Sequence, residues 1–346
     1  MTAEGLGSRG GRRGRRLLLV GSTTLALAAG AACASEAELP GVSAGDGEFE
    51  ATPEFLADAA RRSSGEAYRL EMDLAMELAL LAESVDVDWQ VMSGELEGER
   101  YEMTMDLGPM FEAIGEVAPM PPALGDADLT VEMAGAADVM YLRAPLFEAI
   151  ADMGGGAAPG GPLGDLARLG SDWGRVDLTR LGDGSPLNDV ASAAGVQAAD
   201  PRAFLELVAG ADEVEELGDS QVRGVPVHGL AAEATLGEVL EASGDDPELY
   251  TERNELPSDA LEVPLPIEVW IDGDGLVRRI AYEMDLGELV EASEEAGTVT
   301  PDTFSAAVTL DFFDYGDDSI AIELPDPDEA VDVTGFFLEL YGGSQT

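Results

Sequence analysis

In YRLEMDLAMELAL, residues 68 to 80, every second residue is apolar: Tyr68, Leu70, Met72, Leu74, Met76, Leu78 and Leu80. Arg69, Glu71, Asp73, Ala75, Glu77 and Ala79 fill the places between. A helix needs apolar residues three and four apart to make one face, so this stretch cannot be a surface helix. Side chains of a strand alternate between its two faces, so the pattern predicts a long strand with one dry and one wet face. The same period returns in Val85, Val87, Trp89 and Val91, and again in Tyr101, Met103, Met105 and Leu107. SGELEGER between these two runs reads as a hairpin. Shorter alternations follow at Leu129, Val131 and Met133, and at Val139 and Tyr141.

Elsewhere the period changes. Residues 53–64 predict a first helix with Thr52 as its N-cap. APLFEAIADM reads as a short helix and MGGGAAPGGPLGD as a mobile loop. Residues 186–209 offer two helical stretches, the second opened by Asp200 and Pro201. Strands return at 212–218 and 221–234, with a turn placed at Gly218-Asp219, and a helix is expected at 236–243. Gly273-Asp274-Gly275 is a strong hairpin turn between PIEVWID and LVRRIAYEMDL. Inward positions there are Ile267, Val269, Ile271, Leu276, Ile280, Tyr282 and Met284. A last strand carries Phe304, Ala306, Val308, Leu310 and Phe312, and the tail with Pro325 and Pro327 reads as irregular. The sum is an α+β fold with about 9–11 long, mostly meandering antiparallel strands. One-sided strands of this length must curl into a barrel or half-barrel, with helices covering the apolar side. Residues 51–346 are expected to form one domain, with the strands on either side of the 154–164 loop in one sheet.

The N-terminus sets the compartment. Arg9, Arg12, Arg13, Arg15 and Arg16 precede an uncharged stretch, residues 17–32, and then the only cysteine, Cys33. A basic region, a short apolar region and small residues before a cleavage point make a secretory signal over residues 1–32. The apolar stretch is shorter than the ~20 residues a spanning helix prefers. Cys33 is the expected lipid attachment point, taking an acyl chain such as palmitate. Two readings compete: ordinary cleavage at Ala29-Gly30-Ala31, and an uncleaved anchor. Arg15-Arg16-Leu17-Leu18-Leu19 also fits a twin-arginine export signal. Residues 33–50, rich in Ala, Gly, Ser and Glu, read as a flexible acidic tether.

Charge then excludes function classes. The chain has 18 basic residues, all arginine, against 70 Asp and Glu. Nucleic acid binding needs clustered basic residues that displace counterions, so it is excluded. Electrostatic adsorption to an anionic membrane is equally disfavoured, so contact with a membrane falls to the acyl anchor. With no lysine there is no phosphate-loop, Schiff-base or kinase-type lysine. Gly41-Val42-Ser43-Ala44-Gly45 spells a nucleophile elbow, but in a tether rather than between a strand and a helix. His228, the only histidine, sits among Val225, Pro226, Val227 and Leu230 and reads as a strand residue completing a hydrogen bond. Asp311, Asp314, Asp317, Asp318 and Glu323 are dense but lack calcium-loop spacing, and read as a solvated acidic edge. Asp272 and Asp274 read as turn residues. No catalytic residue, metal site or cofactor is expected.

The methionines carry the remaining signal. Met72, Met76, Met103, Met105, Met133 and Met284 all fall on alternating apolar faces. Flexible, polarizable methionine suits surfaces that must fit varied apolar shapes, and equally suits ordinary core. Together with Leu70, Leu74, Val131, Val269, Ile271, Ile280, Val308 and Leu310 they are the expected lining of an apolar ligand cavity between sheet and helices.

Residues 200–236 resemble a recurrent segment of actinobacterial lipoproteins of the LppX/LprG type, in which a helix leads into a strand pair. The rhythm is carried here by Gly218, Val222, Gly224, Val225 and His228. LPIEVWIDGDGLVRRI, residues 265–280, looks like a second landmark of that group. The resemblance implies a LolA/LolB-like fold: a strongly curved antiparallel half-barrel plugged by helices around an apolar cavity. It also implies a protein that carries a lipid or other apolar ligand through the cell envelope; with the anchor at Cys33, an exported monomer on the outer face of the cytoplasmic membrane is expected. A surface interaction or sensor lipoprotein of the same fold, with a filled core, is the alternative. The chain is far more acidic than a carrier of anionic glycolipids is expected to be.

Overall fold

A computed structural model describes residues 52–342, apart from 81–82, 118–120, 126, 137, 154–166, 181–200, 212, 243–246, 248–249, 252–257 and 286–302. Cys33, the signal, the tether, the 41–45 motif, the 154–164 loop and the first helical stretch expected after residue 186 lie outside the described residues.

The first element is α1, Pro53–Ser63. Thr52 caps it as expected: its backbone is extended, and its Oγ1 accepts from the Phe55 N–H at 3.2 Å. Pro53 at the first helical position loses no hydrogen bond that the helix needs. There follow β1 (Tyr68–Leu80), β2 (Glu83–Glu97), β3 (Arg100–Asp106), α2 (Gly108–Val117), α3 (Pro122–Gly125), β4 (Thr130–Ala136), β5 (Val139–Arg143), α4 (Leu146–Met153) and β6 (Gly174–Asp177). The second half holds α5 (Pro201–Gly210), β7 (Val214–Val222), β8 (Val225–Thr235), α6 (Leu236–Ala242), β9 (Pro264–Asp272), β10 (Val277–Asp285), β11 (Thr303–Phe313), β12 (Val331–Asp332) and α7 (Thr334–Gly342).

All strands join one open sheet in the order β12-β6-β5-β4-β3-β2-β1-β11-β10-β9-β8-β7. It is built from two meanders. One leaves the centre from β1 outward to β6; the other returns from the far edge, β7, inward to β11. The two meet where β1 pairs with β11, with Met72 opposite Leu310 and Leu74 opposite Val308. Every pairing is antiparallel except that of β12 with β6. The α+β class and the single sheet stand as the alternation predicted.

The sheet cannot be flat. Arg223, in the turn between β7 and β8, bonds to Asp311 on β11 at 3.3 Å and to Glu71 on β1. β1 lies four places from β8 in the strand order. In a flat sheet that is about 19 Å, beyond the reach of an arginine. The edge hairpin therefore bends over the outer face of the central strands.

Several expectations need correction. The strand count is not among them: the sheet has twelve strands among the described residues, and with β6 and β12, four and two residues long and too short to show a period, set aside, the number lies within the expected 9–11. The SGEL segment is strand rather than turn, because β2 continues to Glu97 and only Gly98 and Glu99 separate it from β3. The turn placed at Gly218-Asp219 lies instead at Arg223-Gly224. Gly218 marks a bulge inside β7, where the register to β8 slips; its φ of +83° is open to glycine at no steric cost. Leu276 belongs to the β9–β10 turn, and the inward place opposite Ile271 is taken by Val277. The tail is not irregular throughout: it ends in β12 and α7.

The helices cover one face. α1 packs on α5, and α5 lies against β8, β9 and β10. Leu56, Phe204, Leu205 and Val208 join Ile267, Val269, Ile271 and Ile280 in one buried cluster. α2 lies against β2 on the other side of the centre.

Candidate functional site

The fourteen apolar residues expected to line a cavity share one face of the sheet. The register shows it strand by strand. Leu70, Met72 and Leu74 stand opposite Phe312, Leu310 and Val308. Met105 stands opposite Met92 and Val131, and Met103 opposite Met133. Ile280 stands opposite both Leu310 and Val269, Met284 opposite Ala306, and Ile271 opposite Val277.

Their coverage divides this face in two. Leu70, Met103, Met133, Val269, Ile271, Ile280, Val308 and Leu310 are buried. Met72, Leu74, Met76, Met105, Val131 and Met284 are only half-buried. The boundary is clearest along β1, where Tyr68 and Leu70 are 4% and 1% exposed and the next three inward residues open out. Val87 of β2 and Met110 of α2 are half-buried as well, and both pack against the main cluster. The half-covered part is thus an apolar strip on β1 to β4, at the end of β1 that leads into β2.

The strip has a firm border. The indole of Trp89 is buried, and its Nε1–H donates to the Asp106 carbonyl at 3.0 Å. This ties β2 to the end of β3 where α2 begins. Tyr282 stacks on Phe204 with ring centroids 5.7 Å apart, and burial pushes its hydroxyl pKa up to about 12. It is neutral at any physiological pH, so this face presents no charge at that point.

Sequence reading missed Met92 as an inward residue. Alternation from Val85 through Val91 points the wrong way past a bulge: β2 slips register between Gln90 and Met92, so Met92 stands opposite Met72 and Leu96 opposite Tyr68. Val91 and Met92 are both buried as a result. An apolar pair at the end of an alternating run is the only signal the chain offers for it.

The outer face is polar and locked. Asp311 is 6% exposed and takes two hydrogen bonds from Arg279, at 2.6 and 2.9 Å, besides its contact with Arg223. It is a buried ion-pair centre rather than part of a solvated acidic edge. Arg69 bonds Glu95 and Asp314, each at 2.8 Å. Burial, then the neighbouring Asp311, Glu71 and Asp88 carboxylates, raise the Asp73 pKa. Asp272 does act as a turn residue: its Oδ1 accepts from the Asp274 and Leu276 N–H groups, each at 2.9 Å, and Arg278 donates to it. His228 Nδ1 lies 3.1 Å from Asp219 on the adjacent strand. Among the described residues no group of His, Cys, Asp and Glu side chains is arranged to hold a metal ion. No described helix is long and apolar enough to cross a membrane.

No protein-family model and no curated protein matches the chain. Among solved structures the chain is similar to LprF of Mycobacterium bovis at 12% identity and a TM-score of 0.36, covering 80% of this chain and 96% of that one. The lipoprotein LppX of Mycobacterium tuberculosis gives 10% identity and a TM-score of 0.33, over 78% and 99%. A LolA-superfamily protein of Nitrosomonas europaea gives 8% and 0.23, over 81% and 97%.

Proposed function

We propose that this chain is an exported envelope lipoprotein, anchored through Cys33, that binds an apolar ligand on the half-covered strip of its inner face. The observation that carries the reading is the strip of Met72, Leu74, Met76, Met105 and Val131, apolar and only half-buried in a chain with 70 Asp and Glu against 18 Arg. Contiguous apolar surface left uncovered on a soluble domain marks a place for a partner or ligand. Binding is partition without covalent chemistry: each methylene removed from water contributes about 0.8 kcal/mol. Methionines let the strip conform to chains of different shape. The acyl group on Cys33 keeps the domain near its lipids, because its charge offers no attraction to an anionic surface.

Native mass spectrometry of the protein made in its own host tests this. Co-purified lipid, released on denaturation, is the expected result; a clean apo mass together with no uptake from vesicles overturns it. Leu74→Trp is expected to fill the strip and abolish uptake with the fold intact by circular dichroism. The sensor alternative is favoured by the other half of the inner face, where Leu310, Ile280 and Val269 are fully packed. It predicts the clean apo mass.

A further inference from the structure

Of the twelve methionines, all but Met1 and Met284 lie between positions 72 and 153. The packed half of the inner face is made of other residues: its inward places on β9, β10 and β11 include Leu265, Ile267, Val269, Ile271, Ile280 and Leu310. Sulfur gathers instead in and beside the half-covered strip. Met72 of β1 stands opposite Met92 of β2, and Met92 opposite Met105 of β3, so three thioethers cross three strands in one row. Met76 follows on the same face of β1, four residues on. Coverage sorts these sulfurs into two sets. Met72, Met76 and Met105 are half-buried, whereas Met92, Met103 and Met140 are each only 1% exposed.

Leucine would make the strip equally apolar and would be chemically inert. A thioether is not inert: oxidants of the peroxide class convert it to a polar sulfoxide. Residues 34–346 hold no cysteine, so no thiol of the mature domain takes the oxidant first. Resting on the apolar-ligand reading above, we propose that Met72, Met76 and Met105 are oxidation sites whose conversion to sulfoxide switches ligand binding off. In each step the sulfur lone pair attacks one peroxide oxygen, and the O–O bond breaks as the S–O bond forms. A proton passes from the transferred oxygen to the departing one, which leaves as water; sulfur loses two electrons and the peroxide gains them. On the uncovered strip the flexible side chain turns its new oxygen to water, so the fold tolerates the change. A ligand lying on the strip removes that water and leaves the S–O dipole without a donor, which is costly. The coupling is reciprocal, so bound ligand shields the three sulfurs from oxidant.

The test treats the intact chain with dilute hydrogen peroxide, locates sulfoxides by peptide mass spectrometry and measures affinity for an uncharged environment-sensitive alkyl probe. Sulfoxide is expected at positions 72, 76 and 105 well before 92, 103 and 140, with probe affinity falling about tenfold. Far-UV circular dichroism is expected to stay unchanged, and the two methionine sulfoxide reductases, one for each epimer, to restore the affinity. Saturating probe is expected to slow oxidation at the three positions. In Met72→Leu with Met76→Leu and Met105→Leu, the affinity before and after peroxide is expected to be the same. Full oxidation of the three with unchanged affinity overturns the inference and leaves the binding reading standing. So does loss of the fold on oxidation, or a fall in the triple variant as large as in the parent chain. Absence of probe binding before any peroxide is added overturns the binding reading itself, and this inference with it.

Discussion

At the scale of single residues, the outer face is where charge is managed. Arg223 sits in the left-handed region, φ +50°, an unfavourable place for a side-chain-bearing residue. The compensation is visible: its guanidinium bonds Glu71 and Asp311 and lies 3.9 Å from the centre of the Phe313 ring. Arg223→Ala leaves Glu71 facing Asp73 and Asp311 with only Arg279 between them. A loss of about 1–2 kcal/mol in urea unfolding is expected, discounted because the arginine is partly exposed. Asp73 works in the opposite sense. Its pKa is raised in the folded state, so the folded chain binds the proton more tightly than the unfolded one. Stability from this group is present below the unfolded value of about 3.8 and is lost as pH rises through the folded pKa. Asp73→Asn is therefore expected to raise the urea midpoint at pH 7 and to change nothing at pH 3. Gly135 is a packing case: a Cβ there would enter the ring of buried Tyr101 on the next strand. Gly135→Ala is expected to cost about 1–3 kcal/mol by overpacking, read as a lower thermal midpoint.

At the scale of elements, local chemistry explains what was legible. β1 and β11 were readable because each keeps one period over its whole length, and period follows from pleat geometry alone. α1 was readable from its cap; Thr52→Ala is expected to cost about 1 kcal/mol by the same measure, with the helix starting later. The β9–β10 turn was readable because Asp272 and the glycines make a turn whatever surrounds them. What escaped were bulges. Those at Val91 and Gly218 change parity by one residue, and only the partner strand decides where the extra residue goes. β6 and β12 escaped for a related reason, since strands so short exist only through their neighbours.

At the scale of the whole molecule, the charge of −52 pushes the compact state apart. Raising NaCl from 0.02 to 0.5 M is expected to raise the thermal midpoint by several degrees, seen by calorimetry. A chain stabilised by its ion pairs alone would show the reverse. Sequence by itself determined the α+β class, the one-faced strands and most of the inner-face residues, Met92 and Val277 excepted. Each of these follows from residue type and period, which need no partner to be defined. Tertiary structure decided the rest. Pairing of β1 with β11 joins residues more than two hundred positions apart, and no local signal specifies it. The bend that brings Arg223 to Asp311 took that one residue out of the expected acidic edge and into a buried ion-pair centre, while Asp314, Asp317, Asp318 and Glu323 stay exposed. Above all, coverage of the inner face belongs to the fold. Leu70 and Leu74 are the same residue type, on the same face of the same strand, four positions apart. One is buried and the other half-open because burial depends on what packs above a residue, and alternation specifies only which way it points.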